Sequence, residues 1–197
     1  MVISKLSMPE SNNQNFNHLK IHTQYSICEG AIKIDNLKDF CKENKIPCLG
    51  LSDTSNLCGA LEFAENISKV GTQPIIGTQI FFRFEDTTGL LPLIALNEKG
   101  YKRIIELSSR SYLENDALSD PHLDIKELLT DTEGVSLLSG TIQGLFGKLF
   151  EKGRIDEISK IYKSLSSKFN DNFYLEIQRH GDQNEIAFEK FNLEQSL

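Results

Sequence analysis

Residues 53–60 read DTSNLCGA and directly follow a short, mostly apolar run at 48–52. Thirty residues earlier, the segment 18–26 reads HLKIHTQYS, and its first half completes another run that we interpret as a strand. In both places a polar segment begins where a strand gives way to a loop or a helix. Functional groups of α/β proteins collect at such strand ends, so these two segments are the first candidates for a functional site.

Strand and helix patterns alternate along the rest of the chain. The predicted strands are 16–22, 48–52, 74–82, 91–96, 134–139 and 173–178. The apolar positions of the first two predicted helices are Ile34, Leu37, Phe40 and Cys41 and then Leu57, Leu61, Ala64 and Ile67. A strand followed by a helix, repeated about six times, indicates a parallel sheet covered by helices. The periodicity leaves open whether this sheet is doubly wound or a barrel.

The charge of the chain argues against direct binding of DNA by its own surface. Its 197 residues include 21 Lys and Arg against 28 Asp and Glu, a formal net charge of −7. Proteins that hold a phosphate backbone usually carry a basic stripe, whereas the Lys and Arg residues here are dispersed among acidic ones. We therefore expect contacts with DNA to be made by other parts of a larger protein.

No apolar run approaches the roughly 20 residues that a membrane-spanning helix needs. The polar N-terminus also lacks the apolar centre of a signal peptide. We therefore expect a cytoplasmic location and no membrane partner. Residues 1–15, which are rich in Asn and Ser, are predicted to form a flexible segment, and residues 16–197 are predicted to form a single domain.

Six short motifs follow one another along the chain. They are KIHT at 20–23, SDTSN at 52–56, PIIGTQ at 74–79, GY at 100–101, LLSG at 137–140 and YLEIQRHG at 174–181. Each motif alone is weak, but their order and spacing together resemble the PHP domain (polymerase and histidinol phosphatase). This domain lies at the N-terminus of the alpha subunits of bacterial replicative DNA polymerase III.

The resemblance implies the PHP fold, a distorted (β/α)7 barrel. A closed barrel of this type needs further strands, and the last metal-binding motif of the family is expected soon after residue 197. We therefore expect a barrel that is incomplete at its C-terminus, and a chain that is the N-terminal part of a longer polypeptide.

The resemblance also indicates which positions would form a metal site. In metal-bearing PHP domains, imidazoles and carboxylates hold several divalent ions, which activate a water molecule and bind a phosphate ester. Four positions of this chain keep a matching donor, namely His22, Glu29, Asp53 and His180. Five positions depart from the family's His, His, Glu, His and Cys, namely Lys20, Thr54, Gln79, Leu90 and Thr141.

These departures predict a vestigial pocket, with no functional metal site and no catalytic residue in this chain. Lys20 is expected to replace part of the metal charge by pairing with Glu29 or Asp53.

Two functions are compatible with the resemblance. The first is a non-catalytic scaffold within a replicative DNA-directed DNA polymerase that uses Mg²⁺. Its partners would be the rest of the alpha chain and the proofreading exonuclease subunit, and no cofactor is expected for this chain itself. The alternative is a metal-dependent phosphoesterase, either a proofreading exonuclease or an enzyme similar to histidinol phosphatase. The number of retained metal ligands favours the scaffold.

Overall fold

The computed structural model describes residues 16–116 and 118–196. The segment 1–15, predicted to be flexible, lies outside these residues. The helices are α1 (Ile34–Asn44), α2 (Ala60–Ser68), α3 (Glu98–Leu113), α4 (Leu145–Glu151), α5 (Ile155–Phe169) and α6 (Gln183–Gln195), with 3₁₀ turns at Ile125–Leu129 and Asn170–Asn172. The strands are β1 (Cys48–Thr54), β2 (Gln73–Phe84), β3 (Thr87–Ala95), β4 (Leu123–Asp124), β5 (Val135–Leu138) and β6 (Phe173–Tyr174).

The strands form one sheet in the order β1-β2-β3-β5-β6, with β4 paired to β2. The sheet is mixed, so the expectation of an all-parallel sheet was wrong: β3 runs antiparallel to both β2 and β5. The reason is the two-residue turn at Glu85 and Asp86, where Glu85 has a φ of 53°. A turn this short can only join antiparallel neighbours, because a parallel connection requires a long crossover. The antiparallel direction could have been predicted from the sequence, because no helical pattern separates the predicted strands 74–82 and 91–96.

The segment 18–23 lies beside β1 as an irregular edge of the sheet. The predicted strand at 16–22 is present only as backbone contacts, in which Ile21 N donates to Gly50 O at 3.0 Å and Ser52 N donates to Ile21 O at 2.8 Å. A Cβ at Gly50 would lie 2.4 Å from Leu19 O, so this close approach requires glycine. The segment that carries the KIHT motif is therefore fixed beside the strand that leads to the SDTSN motif.

Apolar side chains form two clusters. The larger is built from β2, β3 and β5 with the helices α3 to α6, and the smaller joins α1, α2 and β1. Ile34, Leu37 and Cys41 of α1 are buried as predicted, whereas Phe40 is exposed. In α2 the buried face includes Phe63 instead of the predicted Leu61, because the helix begins at Ala60 and its inward face is shifted accordingly.

The sheet curls so that its two ends approach each other. Lys20 lies in the segment beside β1, and Glu176 follows β6 at the opposite end of the strand order, yet Lys20 Nζ is 2.8 Å from Glu176 Oε1. An open, flat sheet would hold these residues several strand spacings of about 4.8 Å apart. The predicted α/β fold with an incomplete barrel is therefore confirmed. Within the described residues, no helix is long and apolar enough to cross a membrane.

Candidate functional site

A cavity of about 280 Å³ lies at the mouth of the curled sheet. Six of the nine positions singled out by the resemblance line it, namely Lys20, His22, Glu29, Gln79, Leu90 and Thr141. They come from segments far apart in sequence, which the curvature of the sheet brings together. Asp53, Thr54 and His180 are not among its lining residues.

Asp53 is fully buried at the end of β1. Its Oδ1 accepts hydrogen bonds from Thr23 N at 2.6 Å and from Ser26 Oγ at 2.6 Å, and its Oδ2 accepts one from Thr23 Oγ1 at 2.7 Å. Both carboxylate oxygens are thus occupied by donors of the segment 23–26. This arrangement holds the loop after the KIHT motif against the sheet.

His22 is held by neutral partners at both ring nitrogens. Gln79 Nε2 lies 3.0 Å from His22 Nε2, and Ser26 Oγ lies 3.4 Å from His22 Nδ1. Burial lowers the pKa of His22 below its usual value, the nearby Glu29 carboxylate raises it in part, and the Lys20 ammonium lowers it further. The imidazole is therefore neutral at pH 7, and the amide of Gln79 occupies the nitrogen that faces it.

Lys20 forms an ion pair with Glu176, so the predicted partners Glu29 and Asp53 were wrong. Glu176 is buried, and its side chain was missed in the sequence reasoning although it lies inside the YLEIQRHG motif. Residues two positions apart in an extended segment share one face. This would have placed Glu176 beside Gln178, whose Nε2 donates to Glu176 Oε1 at 3.3 Å.

Glu29 lies at the rim of the cavity, with 48% of its side chain exposed. Thr54 Oγ1 donates to Glu29 Oε2 at 2.5 Å, so a family ligand position that has lost its imidazole instead supplies a hydroxyl to the retained carboxylate. The Glu29 Oε2 to His22 Nδ1 distance is 3.9 Å. Glu29 and His22 are thus neighbours, but each is already engaged by a neutral side chain.

His180 lies apart from the cavity and contacts the start of α6. Its backbone N and its Nδ1 lie 2.7 Å and 2.8 Å from the two carboxylate oxygens of Glu185. These two contacts hold the pKa of Glu185 below its usual range. Glu185 also completes a capping box with Asp182 at the first turn of α6. The local role of His180 in the structure is therefore to stabilise a helix start.

The donor set of the cavity does not fit a cluster of divalent ions. Such a cluster needs several anionic or imidazole donors with free lone pairs. Here an ammonium, three glutamine amides and a leucine line the wall beside one imidazole and one carboxylate, those of His22 and Glu29. The Asp53 carboxylate is used by other donors. Among the residues that the structure describes, no group of three or more His, Cys, Asp and Glu side chains could hold a metal ion.

Comparison with known proteins agrees with the motifs. A family model described as "PHP domain" matches residues 18–180. The DNA polymerase III subunit alpha of Caulobacter vibrioides is 37% identical over 191 residues, which is 92% of this chain and 17% of that protein. The corresponding subunit of Vibrio cholerae is 32% identical over 182 residues, 91% of this chain and 16% of that protein. The chain thus spans about one sixth of the length of these relatives.

Similarity to solved structures is weaker. An amidohydrolase from Chromobacterium violaceum superimposes with a TM-score of 0.41 and 15% identity, over 49% of this chain and 33% of that one. The family assignment depends instead on the match to the family model, which covers most of the chain and includes the KIHT and SDTSN motifs. On this basis the chain belongs to the PHP domain family.

Proposed function

We propose that this chain is the PHP module of a DNA polymerase III alpha subunit and that the module is a non-catalytic structural unit. The non-catalytic role is supported by the cavity wall, where Lys20, Gln79 and Leu90 stand at positions that hold metal ligands in the family. Identities of 32% and 37% to alpha subunits support the first part.

In this proposal, DNA synthesis belongs to other regions of the longer polymerase, which would use Mg²⁺, deoxynucleotides and primed template. The net charge of −7 supports a role without direct DNA contact, because phosphate binding by this surface would require a concentration of basic side chains. The module would instead brace the rest of the alpha chain.

The metal content of the purified chain tests the non-catalytic role. After dialysis we expect Zn²⁺, Mn²⁺ and Fe at well below one ion per chain, because the remaining donors cannot compensate for stripping water from the ions. The same preparation should hydrolyse histidinol phosphate and p-nitrophenyl phosphate no faster than buffer. A PHP protein with an intact His-x-His-Thr motif serves as the positive control in both assays.

Two results would contradict this role. The first is elemental analysis that finds tightly held ions at or above one per chain. The second is metal-dependent phosphate release that is lost in the variant His22→Ala. Either result would favour the rival function, a metal-dependent phosphoesterase.

The proofreading exonuclease subunit of the polymerase is the proposed partner. We expect this subunit to co-elute in size-exclusion chromatography with the full-length alpha chain but not with an alpha chain that lacks residues 18–180. Equal co-elution with both chains would place the contact elsewhere and remove the partner from the proposal. Primer extension by each chain controls for its folding.

A further inference from the structure

Lys20 and Glu176 connect two distant parts of the chain. They are 156 positions apart in sequence, and Lys20 Nζ lies 2.8 Å from Glu176 Oε1. Segment 18–23 borders β1, and Glu176 follows β6, so the two residues belong to opposite ends of the strand order. The ion pair therefore joins the ends of the curled sheet, at the mouth where the cavity lies.

The two members of the pair differ in their exposure to water. The Glu176 side chain is 2% exposed and that of Lys20 is 18% exposed. Glu176 Oε2 has no hydrogen-bond partner among the described residues, and Oε1 receives only the weaker bond from Gln178 besides the Lys20 ammonium. A carboxylate this deeply buried is strongly destabilising unless a cation lies beside it. Glu176 thus depends on Lys20.

The other ionisable groups around the cavity do not compete for the ammonium. Asp53 is held by donors of the segment 23–26, and Glu29 accepts from Thr54. The two ring nitrogens of His22 face Gln79 and Ser26 and make no contact with Lys20. The positive charge of Lys20 is therefore directed to Glu176.

We propose that the Lys20 ammonium is a fixed internal cation that takes over the electrostatic role of the metal ions and clamps the two ends of the sheet together. This rests on the proposed function in one respect, namely that the cavity holds no metal cluster. In this proposal, the missing metal ligands and the Lys20–Glu176 ion pair have one explanation. The positive charge at the site comes from the covalently attached ammonium of Lys20 instead of from exchangeable metal ions.

Melting temperatures of four variants test the clamp in buffer that contains a chelator. Lys20→Met should lower the melting temperature by about 6 °C, because it leaves the buried carboxylate without a counter-ion. Glu176→Gln should have a smaller effect, since Lys20 can turn towards water. The double variant Lys20→Met with Glu176→Gln should regain most of the loss, because no buried charge remains.

Lys102→Met is the matched control. Lys102 pairs with Glu98 at 2.6 Å on the surface, where both side chains are more than two thirds exposed, so the melting temperature should stay within about 1 °C of that of the unmodified chain.

The inference is overturned if Lys20→Met melts like the unmodified chain, or if the losses in the double variant simply add. Should Lys20→Met fail to fold, the double variant still decides, because a folded double variant supports the clamp and an unfolded one contradicts it. A different result would contradict the proposed non-catalytic function. In that case the chelator would remove bound metal ions from the unmodified chain and lower its melting temperature.

Discussion

Replacement of Asp53 by alanine should remove a large part of the stability of this domain. The carboxylate accepts three hydrogen bonds from Thr23 and Ser26 inside the protein. Hydrogen bonds to a charged acceptor contribute about 1.5–3 kcal/mol each, and buried donors that are left without a partner add a desolvation cost. We expect the free energy of unfolding to fall by about 5 kcal/mol, compared with a total of roughly 5–15 kcal/mol for a typical domain.

Urea denaturation followed by circular dichroism measures this loss. Asp53→Asn keeps the shape of the side chain but not its charge, so about half of the loss is expected. Asp39→Ala, an exposed position on α1, is the matched control and should change the free energy of unfolding by less than about 0.5 kcal/mol. A loss below about 1 kcal/mol for Asp53→Ala would contradict the proposed contribution of these hydrogen bonds to the stability of the domain.

Gly100→Ala should be strongly destabilising, although alanine normally favours a helix. Gly100 lies in the first turn of α3, where a Cβ would be 1.7 Å from the backbone oxygen of Gly134. That oxygen cannot easily move, because it accepts a hydrogen bond from Leu96 N at 2.8 Å. We expect a net loss of roughly 3 kcal/mol, in which overpacking and a broken hydrogen bond outweigh the gain of about 1 kcal/mol in helix propensity.

The same denaturation experiment separates packing from propensity. The control is Ser109→Ala, because Ser109 lies on the exposed side of α3. This variant should leave the free energy of unfolding within about 0.5 kcal/mol of that of the unmodified chain. If Gly100→Ala were as stable as the unmodified chain, the close contact between α3 and the residue before β5 would be refuted.

Local pattern was sufficient for most of the secondary structure. The strands at 48–54 and 73–84 were predicted with small errors at their ends, because their apolar pattern and bounding glycine and proline residues act within a few neighbouring residues. The direction of β3 was not predicted: the two-residue turn at Glu85 and Asp86 carries no glycine, and the only sign of it is the missing helical pattern between the strands.

The motifs also located the cavity: Lys20, His22 and Gln79 were assigned to one site from the sequence, and the structure brings them together. The partner of Lys20 is a different matter. Glu176 is 156 positions away, and only the curvature of the sheet places it within 2.8 Å. His180 was also assigned to this site, but in the structure it contacts Glu185 in the first turn of α6 and does not line the cavity. Sequence therefore determined which residue types are available, whereas tertiary structure decided which charges meet, because electrostatic pairing depends on distances that only the folded chain defines.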